Sequence, residues 1–267
     1  MKQTARHNKL VRSVVAPVSA VAMLAGLSFV APSAMAADNL SCDQGMIYGI
    51  NQSDRSIYSI NTATGATKQV PGSVLGNNAN GLGVNKDGSA AYAVQQAGQF
   101  NATVKILKYT AESGSSNSVG TINLGGAVQG SYLVGGAVSP FTDIYYFGGW
   151  TSDAKFALFG WNTAKDEALG LIGYITADTT PSLRPQANGD LAFDASGNLY
   201  LVNSNSGTQI ELRIPAASVP TAAGTGDING SQVASGKDSG AFNGVAYDAS
   251  GTFYMSQGGF ITPGFGG

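Results

Sequence analysis

An all-β fold is predicted by three features of the sequence: a recurring unit, short alternating strands within it, and Asp/Asn–Gly turns between them. Four segments align: Asn80-Gly-Leu-Gly-Val-Asn-Lys-Asp-Gly-Ser-Ala-Ala-Tyr92, Gly136-Ala-Val-Ser-Pro-Phe-Thr-Asp-Ile-Tyr145, Asp190-Leu-Ala-Phe-Asp-Ala-Ser-Gly-Asn-Leu-Tyr200 and Asn243-Gly-Val-Ala-Tyr-Asp-Ala-Ser-Gly-Thr-Phe-Tyr254. Their closing tyrosines are 53, 55 and 54 residues apart. Tyr48, 44 residues before Tyr92, closes an earlier, partial copy.

Each copy opens as a hairpin. A short apolar strand runs into a turn, and an alternating strand follows. Asp194-Ala-Ser-Gly197 and Asp248-Ala-Ser-Gly251 are the same four residues. Asp at the first turn position accepts hydrogen bonds from the backbone ahead of it, and Gly at the last takes positive φ, so the chain reverses there. Asp87-Gly88 reads as a shorter form of this turn. A second hairpin follows. Its strands are Ser56–Ile60, Val104–Tyr109, Phe156–Trp161 and Ile210–Ile214, with turns such as Asn61-Thr-Ala-Thr-Gly65 and Asn162-Thr-Ala-Lys165. The Ser/Thr/Gly-rich runs Ser113–Ser118 and Ala222–Gly230 read as long loops. Only Ala164–Leu169 and Ala216–Ala223 could hold a helical turn, and Pro220 argues against the second.

Four strands in about 40 to 55 residues make a propeller blade. A single four-stranded sheet cannot bury both of its faces, whereas blades stacked around an axis bury them against their neighbours. A two-sheet sandwich also has many short strands, but nothing in it requires a constant period. The prediction is therefore a β-propeller of four-stranded antiparallel blades. Three full copies with a partial one at each end give about four or five blades, with an incomplete ring as the alternative.

Residues 1–36 read as a signal peptide. Lys2, Arg6, Lys9 and Arg12 precede the apolar run Val14–Ala31, and Ala34-Met35-Ala36 supplies a small-x-small cleavage site. The propeller-like domain is then residues 37–267, and no membrane span remains after cleavage. The leader takes four of the 14 basic residues and none of the 16 acidic ones, which leaves a net charge of −6. That balance excludes a nucleic-acid partner bound through a basic face. The sole histidine, His7, lies in the leader, so His-based nucleophilic catalysis and imidazole metal sites are excluded from the exported domain. The lone Cys42 cannot form an internal disulfide. Any metal chemistry must use oxygen ligands, which points to calcium.

The copies reading apolar-Ala-Phe/Tyr-Asp-Ala-Ser-Gly-x-Leu/Phe-Tyr, with Ile57-Tyr-Ser-Ile-Asn-Thr-Ala-Thr-Gly65, resemble bacterial β-propeller repeats of the YVTN/NHL/SMP-30-like group over roughly Asp43 to Gly259. More narrowly, the leader, Tyr48-Gly-Ile-Asn51 and the Asn-Thr-Ala-Thr-Gly turn resemble the N-terminal propeller-like region of actinobacterial cell-surface proteins. The first resemblance implies the fold and says little about function. SMP-30-like lactonases hold a divalent cation in a carboxylate and amide cluster.

Two groups of residues are candidate sites. Asn80, Asn188 with Asp190, and Asn243 precede the first strand of their units, and Val134 takes the matching place in the copy ending at Tyr145. Innermost strands line a propeller's channel, so a ring of amide and carboxylate oxygens could face a polar ligand or calcium there. Turn geometry for Asn-Gly is the plainer reading. The second group is Tyr145-Tyr-Phe-Gly-Gly-Trp150 with Phe156, Phe159, Trp161 and Tyr174. Most of these fit a blade-to-blade core, while Trp150, following Gly-Gly, is the candidate for an exposed, ligand-stacking ring. Asp194 and Asp248 are turn residues first, and Asp166-Glu167 reads as a solvated pair.

The expected function is that of a secreted or cell-surface interaction module, not an enzyme, binding glycan or protein as a monomer without a cofactor. One alternative is a calcium-dependent lactonase-type hydrolase. Another is that these residues are the front part of a longer, wall-anchored surface protein.

Overall fold

The computed structural model describes residues 40–41, 43–98, 101–129, 132–205, 207–237 and 242–257. The leader, Cys42 and the Gly-rich tail 258–267 lie outside the described residues. The fold is all-β, as expected. Among the described residues eighteen strands form five sheets, and the helical content is 3-10 only, at Tyr132 and Ala216–Ser218.

The first sheet has three strands, β1 (Met46–Ile50), β2 (Ile57–Asn61) and β3 (Thr67–Gln69). The second has four: β4 (Ala79–Val84), β5 (Ala90–Gln95), β6 (Thr103–Thr110) and β7 (Ser115–Asn123). The third comprises β8 (Leu133–Val138), β9 (Ile144–Trp150), β10 (Phe156–Asn162) and β11 (Glu167–Thr176). The fourth comprises β12 (Leu191–Phe193), β13 (Leu199–Asn205), β14 (Thr208–Ile214) and β16 (Ser231–Gly236). The last is the pair β17 (Phe242–Tyr247) and β18 (Phe253–Gln257). Each sheet is an antiparallel meander with one exception. β15 (Asp227–Asn229) leaves the β14–β16 connection and pairs in parallel with β11, adding a fifth strand to the third sheet.

The sheets stand around a common axis. β4, β8, β12 and β17 are neighbours in turn, and β1 adjoins both β17 and β4. Three blades are complete. The three-stranded and two-stranded sheets share the rest of the circle, which matches the partial copies read at the two ends. Gln52, just beyond β1, donates from Nε2 to the carbonyl of Ala79 at the start of β4 (3.2 Å), so β1 runs against the inner strands. The alignment of Tyr48 with Tyr92 makes β1 the counterpart of a second strand, but in the structure β1 lines the central cavity as the inner strands do.

The central strands explain why their sequences look apolar throughout. Ala91 and Ala93 of β5 pack towards the first sheet, with Ile57, Leu107 and Tyr109. Tyr92 and Val94 of the same strand pack on the other face, with Tyr145, Phe147 and Phe159 of the third sheet. In β9 the next residues alternate again: Tyr146 joins Trp150, Phe156 and the β13–β14 leucines in the core towards the fourth sheet. Both faces of a middle blade are buried, so period-2 polarity disappears there. The outer strands face water. β7 is Ser/Asn-rich and mostly exposed, and it occupies much of what reads in sequence as a loop. Glu167–Thr176, partly read as helical, is likewise a strand, β11, because it completes a blade edge.

The turns form as expected. Asp194 Oδ1 accepts from the backbone N–H groups of Ser196 and Asn198, and Asp248 Oδ1 accepts from those of Ser250 and Thr252. Gly197 and Gly251 take φ of 80° and 83°. The second sheet carries the same four-residue turn rather than a shorter one. Asn85 stands in for Asp194, its Oδ1 accepting from Ala90 N–H, and Gly88 closes the turn at φ 69°.

Candidate functional site

The inner strands run side by side in the same direction at very short range. A Cβ on Gly81 would lie 2.7 Å from the carbonyl carbon of Gly135, and one on Gly83 2.6 Å from the nitrogen of Val138. A Cβ on Gly135 would lie 2.5 Å from Asp190 Oδ1. Backbone packs on backbone from the second blade to the fourth, and only glycine allows that approach.

These glycines follow the predicted site residues: Asn80-Gly81, Val134-Gly135, Asn188-Gly189 and Asn243-Gly244. The strand ladder is irregular at the same place in three copies. Register shifts fall between Asn80 and Gly83, between Leu133 and Gly135, and between Phe242 and Gly244. In the fourth sheet Asn188 forms only an isolated bridge to Ser204 before β12 begins. A bulge inserts a residue and re-aims its side chain. Here it recurs at the start of β4, β8 and β17, whereas the approach to β12 keeps its register.

The inner strands surround a cavity of about 1430 Å³. Asn80, Asn188, Asp190 and Asn243 all line it. Their states differ. Asn188 and Asn243 are exposed to the lumen, and Asn80 is half-buried with its Nδ2 donating to Leu133 O (3.2 Å). Asp190 is buried within the wall. Its Oδ1 accepts from the N–H groups of Gly136 (3.0 Å) and Leu191 (2.7 Å), and its Oδ2 from Val245 N–H (3.1 Å). One carboxyl thus joins β8, β12 and β17. Burial pushes its pKa up to about 8, against the three N–H donors that pull it down. Burial above all, and the neighbouring Asp190 next, hold the Tyr145 hydroxyl well above its ordinary range.

This donor set does not fit a divalent cation. Both oxygens of its one carboxylate are taken by wall N–H groups, and calcium sites rest on several oxygens with compensating negative charge. Among the described residues, no three of His, Cys, Asp and Glu come together.

Trp150 is not exposed. It is fully buried in β9, its ring meeting Phe156 edge-on at 5.3 Å between centroids. Gly148-Gly149 before it is not a turn but a close approach: Cβ atoms there would sit 2.1 Å from Ala157 O and 2.0 Å from Tyr132 O. The rest of the aromatic stretch is core, with Tyr92, Tyr145, Phe147 and Phe159 stacked in series at 5.9, 5.6 and 5.5 Å. Asp166 is not simply solvated. It accepts an ion pair from Lys108 of the neighbouring blade (3.1 Å).

The sequence reading misses further lining residues, two of them at equivalent steps. Asn78 and Gln186 both line the cavity in left-handed backbone, at φ 58° and 48°. The signal was present: Asn78-Ala-Asn-Gly81 and Gln186-Ala-Asn-Gly189 are 108 residues apart, twice the repeat.

No protein-family model matches the chain, and no curated protein matches it. Solved structures that resemble it are β-propeller-like. An auxiliary nutrient binding protein from Bacteroides ovatus aligns with TM-score 0.47 and 12% identity, over 80% of this chain and 50% of that one. The PQQ-bound aldose sugar dehydrogenase of Streptomyces coelicolor aligns with TM-score 0.44 and 14% identity, over 79% and 71%. A Bacteroides uniformis protein provisionally assigned as a 6-phosphogluconolactonase aligns with TM-score 0.45 and 15% identity, over 81% and 76%. The chain also spans about half the length (51%) of a Bacteroides thetaiotaomicron protein of unknown function. The likeness is one of fold.

Proposed function

We propose that this chain is an exported, non-enzymatic interaction module whose ring channel binds a glycan or protein ligand. The observation that carries the reading is that the starts of β4, β12 and β17 put the equivalent residues Asn80, Asn188 and Asn243 on one open cavity. The single carboxyl in that group is consumed as a cross-brace, so its chemistry is spent on the wall. Export rests on the leader at residues 1–36, and the kinship to YVTN/NHL/SMP-30-like repeats rests on the Asp-Ala-Ser-Gly and Asn-Thr-Ala-Thr-Gly turns.

The test uses the mature chain, residues 37–267, against immobilised glycans, a cell-wall protein fraction and a panel of sugar lactones. Binding without lactone turnover is the expected outcome. Turnover abolished by chelator and restored by calcium would overturn the reading in favour of a hydrolase. Intact mass in medium and wall fractions tests the export: a mass matching residues 37–267 free in the medium is expected. A much larger, wall-linked mass would make this chain the front part of a surface protein.

A further inference from the structure

We propose that the amide-lined mouth of the channel is a binding site for an uncharged saccharide, held by Asn78, Asn80, Gln186, Asn188 and Asn243. This rests on the reading of the channel as the binding surface, and it adds the ligand's chemical class and the end at which it binds.

The first ground is the kind of group at this mouth. Asn78, Asn80, Gln96, Gln186, Asn188 and Asn243 line the cavity around the starts of β4, β12 and β17. A carboxamide both donates and accepts, and so matches a sugar hydroxyl in either role. Asn80 and Gln96 are fixed, each donating to the carbonyl of Leu133. The exposed side-chain amides of Asn78, Gln186, Asn188 and Asn243 make no hydrogen bond with another described residue, so their capacity is left for a ligand.

The second ground is charge. Among the described lining residues only Lys86, Asp190, Asp194 and Asp248 are lysine, arginine, aspartate or glutamate. Lys86, Asp194 and Asp248 belong to the turns at the far ends of the inner strands. Asp190 is sealed by three backbone donors. An anionic ligand would find no cation at the amide mouth, and a cationic one no open carboxylate. A neutral polyol needs neither. Tyr132, half-buried, lines the same cavity and supplies an aromatic ring of the kind that packs on sugar C–H faces.

The third ground is backbone strain. Asn78 and Gln186 occupy the left-handed region, sparsely populated by non-glycine residues, at the same step of the second and fourth blades. Each directly precedes a buried alanine, Ala79 or Ala187, which anchors the strand start behind it.

The test is a glycan array spanning neutral and acidic polysaccharides, followed by titration calorimetry with the neutral oligosaccharides that bind. Three variants of the mature chain are compared: Asn188→Ala, Asn243→Ala and, at the far end, Lys86→Ala. Melting temperature confirms that each is folded. The expected result is binding of a neutral saccharide, at least 10-fold weaker in both asparagine variants, unchanged in Lys86→Ala, and insensitive to 0.5 M salt as an uncharged interaction should be. Three outcomes overturn it: salt-sensitive binding of acidic glycans, neutral binding untouched by both asparagine variants, or no glycan bound at all. In the last case, capture of a wall protein lost in the asparagine variants leaves the channel reading standing and removes only the saccharide. Loss of both removes the channel reading too.

Discussion

Asp190 is the point at which the ring is most sensitive to pH. Its carboxyl is 8% exposed and has a pKa of about 8 in the folded chain, against an ordinary value of 3.8. The folded chain therefore holds a proton that the unfolded chain releases above about pH 4. Stability from this group is complete below that pH and is lost as pH rises through about 8. The whole excursion amounts to on the order of 5 kcal/mol, taking about 1.4 kcal/mol for each pH unit between the two values. Asp190→Asn cannot ionise and removes this slope. Its Oδ1 can still accept from Gly136 and Leu191, but its NH₂ would face the Val245 N–H, at a cost of roughly 1–3 kcal/mol. The variant should be less stable than the parent at pH 5, and the gap should close or reverse by pH 9. Urea unfolding followed by circular dichroism at pH 5, 7 and 9 measures this directly. Tyr145, the other ionisable group beside Asp190, has its pKa raised further and stays neutral across the range. Parallel pH profiles for parent and variant would refute the argument, because they would mean that the three N–H donors outweigh burial and keep Asp190 ionised.

Three further expectations concern the ring's packing. Gly135→Ala should lose roughly 1–3 kcal/mol or more, since its Cβ would fall 2.5 Å from Asp190 Oδ1, whereas Gly226→Ala, with open space around it, should stay within about 0.5 kcal/mol of the parent. Thermal unfolding compares the two. Phe147→Ala should lose about 3–5 kcal/mol, because the ring is fully buried between Tyr145 and Phe159, and the buried Trp150 and Trp161 should give blue-shifted fluorescence that moves red on unfolding. Asp166→Asn keeps the left-handed backbone and removes only the ion pair to a Lys108 whose side chain is 22% exposed, so its cost should be no more than about 1 kcal/mol and should vanish in high salt.

What the sequence made legible was what repeats. The tyrosines of the aligned copies fall on second strands, Tyr92 in β5, Tyr145 in β9, Tyr200 in β13 and Tyr254 in β18, because turn chemistry and alternation fix register together. The outer strands were hidden for a physical reason. β7 and β16 face solvent, carry Ser, Thr, Gln and Asn, and leave no apolar alternation to read. β15 pairs with a strand about 50 residues earlier in the sequence, so local pattern could not place it. At Trp150, Gly-Gly carries two meanings, turn or close approach, and only the tertiary contacts separate them. At the site, the Asn-Gly steps are both turn-like and lumen-facing. What the two segments 78–81 and 186–189 share is the left-handed step at Asn78 and Gln186, and its trace in sequence is the echo between them.

β15 has a consequence for how the ring opens. The connection leaving the fourth blade crosses to the third, forms three parallel pairs with Tyr174, Ile175 and Thr176, and returns as β16. Lys155 of the third blade closes the crossing with an ion pair to Asp227 (3.1 Å). The two blades are laced together by backbone as well as by their shared core, so neither can detach without unpicking the other. They should behave as one foldon, whose amides exchange only when both blades unfold. Among the described residues, the partial sheets at the seam have no such strand exchange. Slow and fast exchange should divide the ring into a double-blade keel and a looser gate, the gate lying where the two ends of the repeat meet.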